Sequence, residues 1–342
     1  MSSIKRLKDF KLKNRLRAGL IGFGVMGKNH ARIMSNLDDV DLIGISDPLI
    51  PNQIDPLLNG AHFYRDPIEL LNQELDYCVI AVPTNLHKNI AILALKNGVN
   101  CLIEKPIAVN YIEGLEIESV AKEYNLLVGI GHIERYNAAV QQLKIRLLRR
   151  ELGQIFQIST RRLGPHPVRI NDVGVVKDLA THDIDLIMWL MESNFKTISA
   201  HSYQNEAKIV EELVSVNGLL ENGIIVNMQI NWVSPYKERK IVITGEKGTF
   251  VVDTLNSELI YFENGNHMVS QEALMHLKGV SQGNCTSFAF DRPEPLLVEH
   301  QNFRDKMFGR NAAIISIKEG LSTIKVADLF LKSSEIGSSI KL

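Results

Sequence analysis

The stretch that decides the fold is Arg17–Gly27, which reads RAGLIGFGVMG. A short apolar strand runs directly into a G-x-G-x-x-G pattern, and a helix is expected to follow; this is the context in which the pattern indicates dinucleotide binding. Gly22 permits the tight turn, Gly24 lets the backbone approach a pyrophosphate, and Gly27 allows close packing of helix on strand. The N–H groups that begin the helix can then receive phosphates. The stretch therefore predicts a Rossmann-type fold.

A second predicted strand, Val40–Ser46, ends at an acidic residue, Asp47, which lies 25 residues after Gly22. An acid at this strand end can hold a ribose 2′-hydroxyl, and it disfavours the 2′-phosphate of NADP. We therefore expect NAD as cofactor, with Phe23 and Met26 of the glycine-rich turn also in contact with it. The alternative is an ordinary loop aspartate, because the next residue is a proline and Asp-Pro is a common turn pair.

Strand and helix continue to alternate along the chain, with buried-strand runs at Tyr77–Val82, Val99–Ile103 and Leu126–Ile130. In an open parallel sheet, ligands bind outside the carboxyl ends of the strands. A surface lysine is the default interpretation of Lys105, but the proline after it restrains the backbone that presents it. The residues that follow the strands are expected in one crevice with the cofactor: Pro83, Thr84, Asn85, His87, Glu104, Lys105 and His132.

The pattern changes after Asn137. A helix, Ala138–Arg150, is followed by runs typical of an antiparallel sheet of six or seven strands, and Asn222-Gly223 marks one hairpin turn. Further helices are expected at Leu296–Phe308 and Leu321–Leu331. The predicted strands are Ile155–Arg162, Thr197–Tyr203, Val214–Leu220, Ile224–Trp232, Arg239–Thr244, Phe250–Asp253 and Glu258–Phe262.

The sequence therefore predicts an α/β protein with two domains. The first is a Rossmann domain with a doubly wound parallel sheet, over residues 17–131. The second is a C-terminal α+β domain with an open, largely antiparallel sheet, over residues 132–342. Residues 1–16 form a basic N-terminal extension, and its single acid and lack of an apolar core argue against a targeting peptide.

Composition limits the classes of function. The formal net charge is -1 and charged residues make up 23% of the chain, so nothing indicates a nucleic-acid or membrane-surface partner. The three cysteines are few and odd in number, which argues against a disulfide framework or a structural zinc site. This usage fits a reducing compartment, and we expect a cytoplasmic protein without a bound metal.

A second group of polar residues follows the change of pattern. Read as a helix, the chain from Asp178 places His182, Asp185 and Trp189 on the same face as Asp178. A carboxylate one turn before a histidine can orient the imidazole and raise its basicity, which suits a general base. The plain alternative is a helix whose first turn is acidic because acids suit the positive end of its dipole.

Together these motifs resemble the glucose–fructose oxidoreductase/inositol dehydrogenase family. The resemblance extends over essentially everything after residue 17 and implies a nicotinamide-binding first domain. It also implies a second domain that holds a sugar and assembles homodimers or homotetramers through its sheet. The family's catalytic set carries over as Lys105, Asp178 and His182. His182 would take the hydroxyl proton, Asp178 would support it, and Lys105 would polarise the oxygen.

Two segments narrow the substrate that the resemblance implies. Residues 131–137, GHIERYN, and 161–174 resemble the branch that oxidises the 3-hydroxyl of UDP-linked N-acetylhexosamines to a 3-keto sugar. Arginines in these segments can bind a diphosphate in bidentate fashion, or each can be an ordinary salt-bridge partner. Asp185 is either a substrate contact or only an acid that suits its helix. The expected substrate-binding residues are Arg135, Tyr136, Asn137, Arg162, Arg169 and Asp185.

Two other functions stay open at this stage. The first is an NAD-dependent dehydrogenase of a free sugar, a sugar acid or inositol. The second is a cofactor-binding regulator without catalysis, since some proteins of this fold have lost their activity. The presence of Lys105, Asp178 and His182 together speaks against the regulator, which has no need of a proton-transfer set.

Overall fold

The computed structural model of the 342-residue chain describes residues 15–49, 58, 60–167, 173–205, 210–265 and 281–342. Two of the predictions above fall outside these ranges. One is the substrate contact assigned to Arg169, and the other is the basic extension, of which only the last two residues are described.

The described residues form two compact units. The first unit takes those of Met1–Ile133, Asn171–Val173 and Glu294–Asp328, and the second those of Glu134–Ile170, Gly174–Pro293 and Leu329–Leu342. The chain leaves the first unit after Ile133, close to the predicted boundary at residue 131. Apart from the short segment Asn171–Val173, it returns at Glu294, whereas all of residues 132–342 were predicted to lie in the second domain.

The first unit is built on a six-stranded sheet. Its order is β3-β2-β1-β4-β5-β6 and every neighbouring pair is parallel, which is the strand order of dinucleotide-binding folds. The strands are β1 (Leu16–Ile21), β2 (Val40–Ser46), β3 (His62–Tyr64), β4 (Tyr77–Ile80), β5 (Asn100–Glu104) and β6 (Val128–Gly131). The helices between them are α1 (Val25–Ser35), α2 (Pro67–Leu71), α3 (His87–Lys96) and α4 (Tyr111–Tyr124). The predicted parallel Rossmann sheet is confirmed.

The returning segment belongs to this unit because its apolar side chains pack into the same core. Helix α7 spans Pro295–Met307, and its Phe303 is buried in one cluster with Leu20 and Met34. A Cβ atom on Gly129 of β6 would lie 2.9 Å from the Phe303 ring, so the glycine makes room for the helix. The period of an apolar pattern predicts a helix but does not say which sheet the helix covers.

The second unit is built on a nine-stranded sheet of order β14-β13-β12-β11-β7-β10-β9-β8-β15. Strands β7 and β10 pair in parallel and all other neighbours are antiparallel, so the predicted open, largely antiparallel sheet is confirmed. The strands are β7 (Ile155–Pro165), β8 (Phe195–Tyr203), β9 (Leu213–Leu220), β10 (Ile225–Asn231), β11 (Val233–Gly245), β12 (Gly248–Asp253), β13 (Glu258–Gly265), β14 (Ser281–Ser287) and β15 (Ile340–Lys341). Strands β14 and β15 were not predicted.

The described residues form three further α-helices, α5 (Ala138–Leu148), α6 (Thr181–Met191) and α8 (Ile317–Ile336), of which α8 contributes residues to both units. At the predicted hairpin, Asn222-Gly223 joins β9 to β10, and Gly223 has a φ of 86° that favours glycine. No helix in the described part of the chain is both long enough and apolar enough to cross a membrane.

Candidate active site

In the first unit, the glycine-rich turn lies between β1 and α1. Gly22 has a φ of 97°, and a Cβ atom there would lie 2.5 Å from the carbonyl oxygen of Ala81. A Cβ atom on Gly27 would overlap the carbonyl oxygen of Gly22. A Cβ atom on Gly24, by contrast, would meet no described atom within 4 Å. The turn thus leaves open space where a pyrophosphate can approach the backbone, so the residues present fit a dinucleotide.

The start of α1 supplies donors for that ligand. Gly24 caps the helix without a side-chain hydrogen bond to its first N–H groups, and no acid occupies the first turn. Uncapped N–H groups and the positive end of the helix dipole favour an anion at this position. Phe23 and Met26 are both half-buried beside this turn.

Asp47 connects the end of β2 to the same turn. Its Oδ2 atom accepts a hydrogen bond from the N–H of Phe23 at 2.7 Å, and its Oδ1 atom accepts one from Leu49 at 2.8 Å. A carboxylate has about four lone-pair positions, so two remain for the hydroxyl groups of a ribose. The side chain is half-buried and held in one orientation before any ligand binds.

His87 is buried between two strand-end loops. Its side chain is 1% exposed, with Nδ1 2.8 Å from the carbonyl oxygen of Pro106 and Nε2 2.9 Å from that of Val82. The imidazole therefore connects the two loops. The cofactor contact expected of His87 stays a prediction. Of its neighbours, Pro83 and Asn85 are exposed.

Glu104 and Lys105 stand at the carboxyl end of β5. Glu104 is 8% exposed; its Oε1 atom lies 2.9 Å from Nε2 of His30, and its Oε2 atom accepts from the N–H of Lys105 at 3.1 Å. Burial raises the pKa of Glu104, but the hydrogen bond from His30 and the charge of Lys105 outweigh it and hold the pKa below its ordinary value. Glu104 is thus an internal anion, whereas Lys105 is half-buried.

In the second unit, Asp178 and His182 lie across a change of helix type. Val176–Ala180 forms one π-helical turn and α6 begins at Thr181, so the single regular helix predicted from the sequence is corrected. Glu211 fixes the start of the wide turn, because its carboxylate accepts from the N–H of Val176 at 3.0 Å. Asp178 is 8% exposed, and His182 is half-buried. Single π turns inside helices are frequent at functional sites.

Arg135 and Asp185 bind each other. The guanidinium donates from Nε to Oδ2 at 2.7 Å and from Nη2 to Oδ1 at 2.6 Å, and both side chains are buried. The Arg135 guanidinium also lies 5.5 Å from the ring centre of Trp189. This bidentate pair occupies both carboxylate oxygens of Asp185, and the substrate contacts expected of the two residues stay predictions. Arg135 and Asp185 are 50 residues apart in the chain, so no local sequence pattern predicts that they pair.

Arg162 is also engaged inside the unit. It donates from Nε to Asp183 at 2.7 Å and from Nη1 to Glu134 at 2.8 Å, and it is 3% exposed. Burial acts to lower the pKa of Arg162, but the two carboxylates outweigh it and raise the pKa above its ordinary value. Burial raises the pKa of Asp183 above its ordinary value, although the guanidinium of Arg162 acts to lower it. Arg162 thus belongs to a buried ion cluster, and the diphosphate contact expected of it stays a prediction.

Asn137 and Tyr136, the remaining described substrate candidates, are buried at 6% each. Asn137 caps α5: its Oδ1 atom accepts from the N–H of Ala139 at 3.0 Å, and its amide donates to the carbonyl oxygen of Thr254. Asn137 thus acts as a helix cap, and the substrate contact expected of it stays a prediction.

Arg239 was missed by the sequence analysis. It lies on β11 directly opposite Arg162 on β7, and its Nη1 atom donates to the carbonyl oxygens of Leu163 and Glu238 at 2.6 and 2.9 Å. Its Nε and Nη2 atoms make no hydrogen bond to any residue that the structure describes. Burial and the charge of Arg162 lower the pKa of Arg239, while Asp178 is among the carboxylates that act against them. Nothing in the strand sequence KERKIVIT singles this arginine out.

Two family models match the chain. Residues 16–132 match an oxidoreductase family with an NAD-binding Rossmann fold, and residues 140–251 match the GFO/IDH/MocA C-terminal domain. Among curated proteins, UDP-N-acetylglucosamine 3-dehydrogenase of Acidithiobacillus ferrooxidans is 27% identical over 253 residues, which cover 73% of this chain and 78% of that protein. The NAD(+)-dependent scyllo-inositol 2-dehydrogenase of Bacillus subtilis is 21% identical and covers 97% of both chains.

Solved structures share the fold. The UDP-N-acetylglucosamine 3-dehydrogenase of Acidithiobacillus ferrooxidans superposes with a TM-score of 0.79 at 24% identity, covering 94% of this chain and 98% of that one. The WlbA dehydrogenase of Bordetella pertussis, crystallised with NADH and UDP-GlcNAcA, gives a TM-score of 0.79 at 20% identity, covering 96% of this chain and 98% of the other.

Proposed function

We propose that this chain, which belongs to the GFO/IDH/MocA family of NAD-dependent oxidoreductases, oxidises the 3-hydroxyl of a UDP-linked N-acetylhexosamine to a ketone. The family and the NAD-binding fold are findings; the substrate and the roles of individual residues are the proposal. Bound NAD supplies the hydride acceptor of this reaction. The protein must then hold the sugar and remove the proton of the hydroxyl that is oxidised.

His182 is the proposed proton acceptor. In the reaction the hydroxyl O–H bond breaks, its electron pair forms the second C–O bond, and the proton passes to the imidazole. Asp178 lies four residues before it on the wide turn and is buried, and its carboxylate is proposed to stabilise the imidazolium that forms. A positioned base of this kind contributes ~10²–10⁴-fold to the rate.

Lys105 is proposed to bind the same hydroxyl oxygen through its ammonium group. An ammonium beside that oxygen stabilises the negative charge that develops on it as the proton leaves. The backbone N–H of Lys105 donates a hydrogen bond to the carboxylate of Glu104, and this bond fixes the backbone from which the lysine side chain extends. Its position at the end of β5 is where ligands bind in open parallel sheets.

The observation that carries the nucleotide-sugar assignment is Arg239. Arg135 and Arg162 are occupied by buried carboxylates, whereas Arg239 uses only Nη1 within the described structure. A half-buried guanidinium with unused donors is suited to bind a phosphate or carboxylate in bidentate fashion. A UDP-sugar carries a diphosphate, and an uncharged polyol carries no such group. The relative from Acidithiobacillus ferrooxidans is named for the same substrate class.

Oxidation of an uncharged cyclic polyol is the second candidate. The observation that favours it is the alignment with scyllo-inositol 2-dehydrogenase, which extends over 97% of the chain, compared with 73% for the nucleotide-sugar enzyme. Both candidates use the same proton acceptor, so they differ in the anion that Arg239 would bind.

A substrate panel separates the two candidates. The purified protein is incubated with NAD and, in separate reactions, UDP-N-acetylglucosamine, UDP-N-acetylgalactosamine, the corresponding uronate, glucose and two inositols, and NADH formation is followed. We expect turnover with a UDP-sugar and formation of a 3-keto product detectable by mass spectrometry. Turnover with free polyols alone would replace the nucleotide-sugar proposal by the second candidate.

A further inference from the structure

Four ionisable side chains are buried together in the first unit. His30 on α1 is 1% exposed, Glu104 at the end of β5 is 8% exposed, and His300 and Glu299 on α7 are each 1% exposed. No group of three or more His, Cys, Asp and Glu side chains among the described residues is arranged to hold a metal ion. What these side chains do must therefore be read from their hydrogen bonds.

The hydrogen bonds form a chain from α7 to β5. The Nε2 atom of His300 lies 2.8 Å from Nδ1 of His30, and Nε2 of His30 lies 2.9 Å from Oε1 of Glu104. An ionised carboxylate only accepts hydrogen bonds, so Nε2 of His30 carries a proton and donates it. Burial and the neighbouring His30 lower the pKa of His300 well below its ordinary value, so the last member of the chain is neutral.

The other carboxylate oxygen of Glu104 reaches the backbone of the next residue. Oε2 accepts from the N–H of Lys105, so the carboxylate joins His30 to the loop that presents the lysine. Gly131 on β6 makes room for the same carboxylate, because a Cβ atom there would lie 3.3 Å from its Cδ atom. Both oxygens of Glu104 therefore have partners within this cluster.

We propose that His30 is a positioning residue for Lys105. It sits on the helix whose N-terminus forms the cofactor cradle, and through Glu104 it fixes the backbone from which the lysine side chain extends. These hydrogen bonds thus connect helix α1, helix α7 and the loop that carries Lys105, and they hold the three in fixed positions. This inference rests on the proposed function only in giving Lys105 a role at the substrate hydroxyl.

Buried side chains that merely fill space would tolerate an apolar replacement of similar size. A positioning role requires the donor at Nε2 instead, because without it the buried Glu104 carboxylate loses a hydrogen bond and the loop loses its anchor. Misplacement of a catalytic group by about 1 Å can cost ~100-fold in rate. Glutamine places an amide N–H near the position of Nε2, and leucine places only methyl groups there.

The test compares His30→Leu with His30→Gln, and uses Met34→Ala as a control for lost stability. Met34 lies on the same helix, is fully buried and belongs to none of these hydrogen bonds. We expect His30→Leu to lower kcat by about 10- to 100-fold with a KM for NAD within threefold of the original. His30→Gln should recover most of that loss, and Met34→Ala should lower the melting temperature without a comparable loss of kcat.

A second measurement does not depend on the substrate. Hydrogen–deuterium exchange is followed for the peptide that contains the Lys105 amide. We expect faster exchange in His30→Leu and nearly original exchange in His30→Gln. The inference would be overturned if His30→Leu and His30→Gln had the same kcat and the same exchange rate of the Lys105 amide. It would also be overturned if the kcat of Met34→Ala fell in proportion to its loss of stability. If the unaltered protein oxidises no sugar while the exchange responds as expected, the proposed function fails and the positioning of the loop by His30 stands.

Discussion

The carboxylate of Asp47 accepts a hydrogen bond from the N–H of Phe23, so the side chain that is proposed to hold a ribose also shapes the glycine-rich turn. This double role means that its charge and its geometry have to be tested separately. Asparagine keeps one oxygen that can accept from Phe23 and removes the negative charge.

We expect Asp47→Asn to weaken NADH binding by about 10-fold or more, because a hydrogen bond to a charged group contributes ~1.5–3 kcal/mol. NADPH binding should improve or stay the same, since the acid that repels a 2′-phosphate is gone. Fluorescence titration with each cofactor measures both constants. Asp41→Asn, an exposed carboxylate on the same strand, is the control. Equal weakening of both cofactors would contradict a ribose contact by Asp47.

The first unit was predictable because its signals are local. Residues 17–27 predict the glycine-rich turn, because the three glycines of the motif lie between a strand and the start of a helix. Short apolar runs bounded by turns predict the parallel strands. The membership of α7 was not predictable in this way. Its place depends on Phe303 meeting Gly129, a contact between residues far apart in the chain.

The internal partners of Arg135 and Arg162 were not predictable for the same physical reason. An arginine in a sequence is equally suited to a phosphate and to a buried carboxylate, and its partner decides which. Arg162 pairs with Asp183, which is 21 residues away. Only the folded sheet shows that Arg239, on the neighbouring strand, bonds through Nη1 alone to the residues that the structure describes. The wide turn at Val176–Ala180 was equally hidden, because its residues read as an ordinary helix.

Removal of the proposed base gives the second prediction. His182→Asn should lower kcat by ~10²–10⁴-fold, because the hydroxyl proton then has no positioned acceptor. NADH affinity should stay within threefold, since His182 is not part of the cofactor cradle. Steady-state rates and NADH titration measure the two effects. His201→Asn, at an exposed position on β8, is the matched control. An undiminished rate would remove His182 from the mechanism.

Arg239 gives the third prediction, on specificity. Arg239→Gln should raise the KM for a UDP-sugar by about 10- to 100-fold, the range that a lost hydrogen bond between charged groups implies. The kcat should change little, because the anion is remote from the carbon that is oxidised. Arg161→Gln is the control, because the side chain of Arg161 is 46% exposed and its guanidinium pairs with Glu238. Equal effects of the two substitutions would show that Arg239 binds no substrate anion.

The fourth prediction concerns stability and pH. Burial, with the nearby Glu104 charge, raises the pKa of Glu299 well above its ordinary value, and neither carboxyl oxygen has a hydrogen-bond partner among the described residues. The folded protein therefore holds a proton that the unfolded chain releases once the pH exceeds the ordinary value. The stability that this proton provides is fully present below about pH 4.5 and is lost as the pH rises through the pKa of the folded state.

Glu299→Gln removes this titration. A constant difference in stability from repacking the amide is possible at every pH, so the informative quantity is how the difference changes. We expect the free energy of unfolding of the variant, relative to that of the original protein, to rise by ~1.4 kcal/mol for each pH unit between the ordinary and the elevated pKa. The melting temperature of the variant should therefore gain on that of the original protein as the pH rises from about 4.5 toward neutrality. Glu294→Gln, which removes an exposed carboxylate just before the same helix, is the control. Parallel curves for the original protein and Glu299→Gln would mean that Glu299 is ionised in the folded state, and that the cluster around Glu104 holds two negative charges.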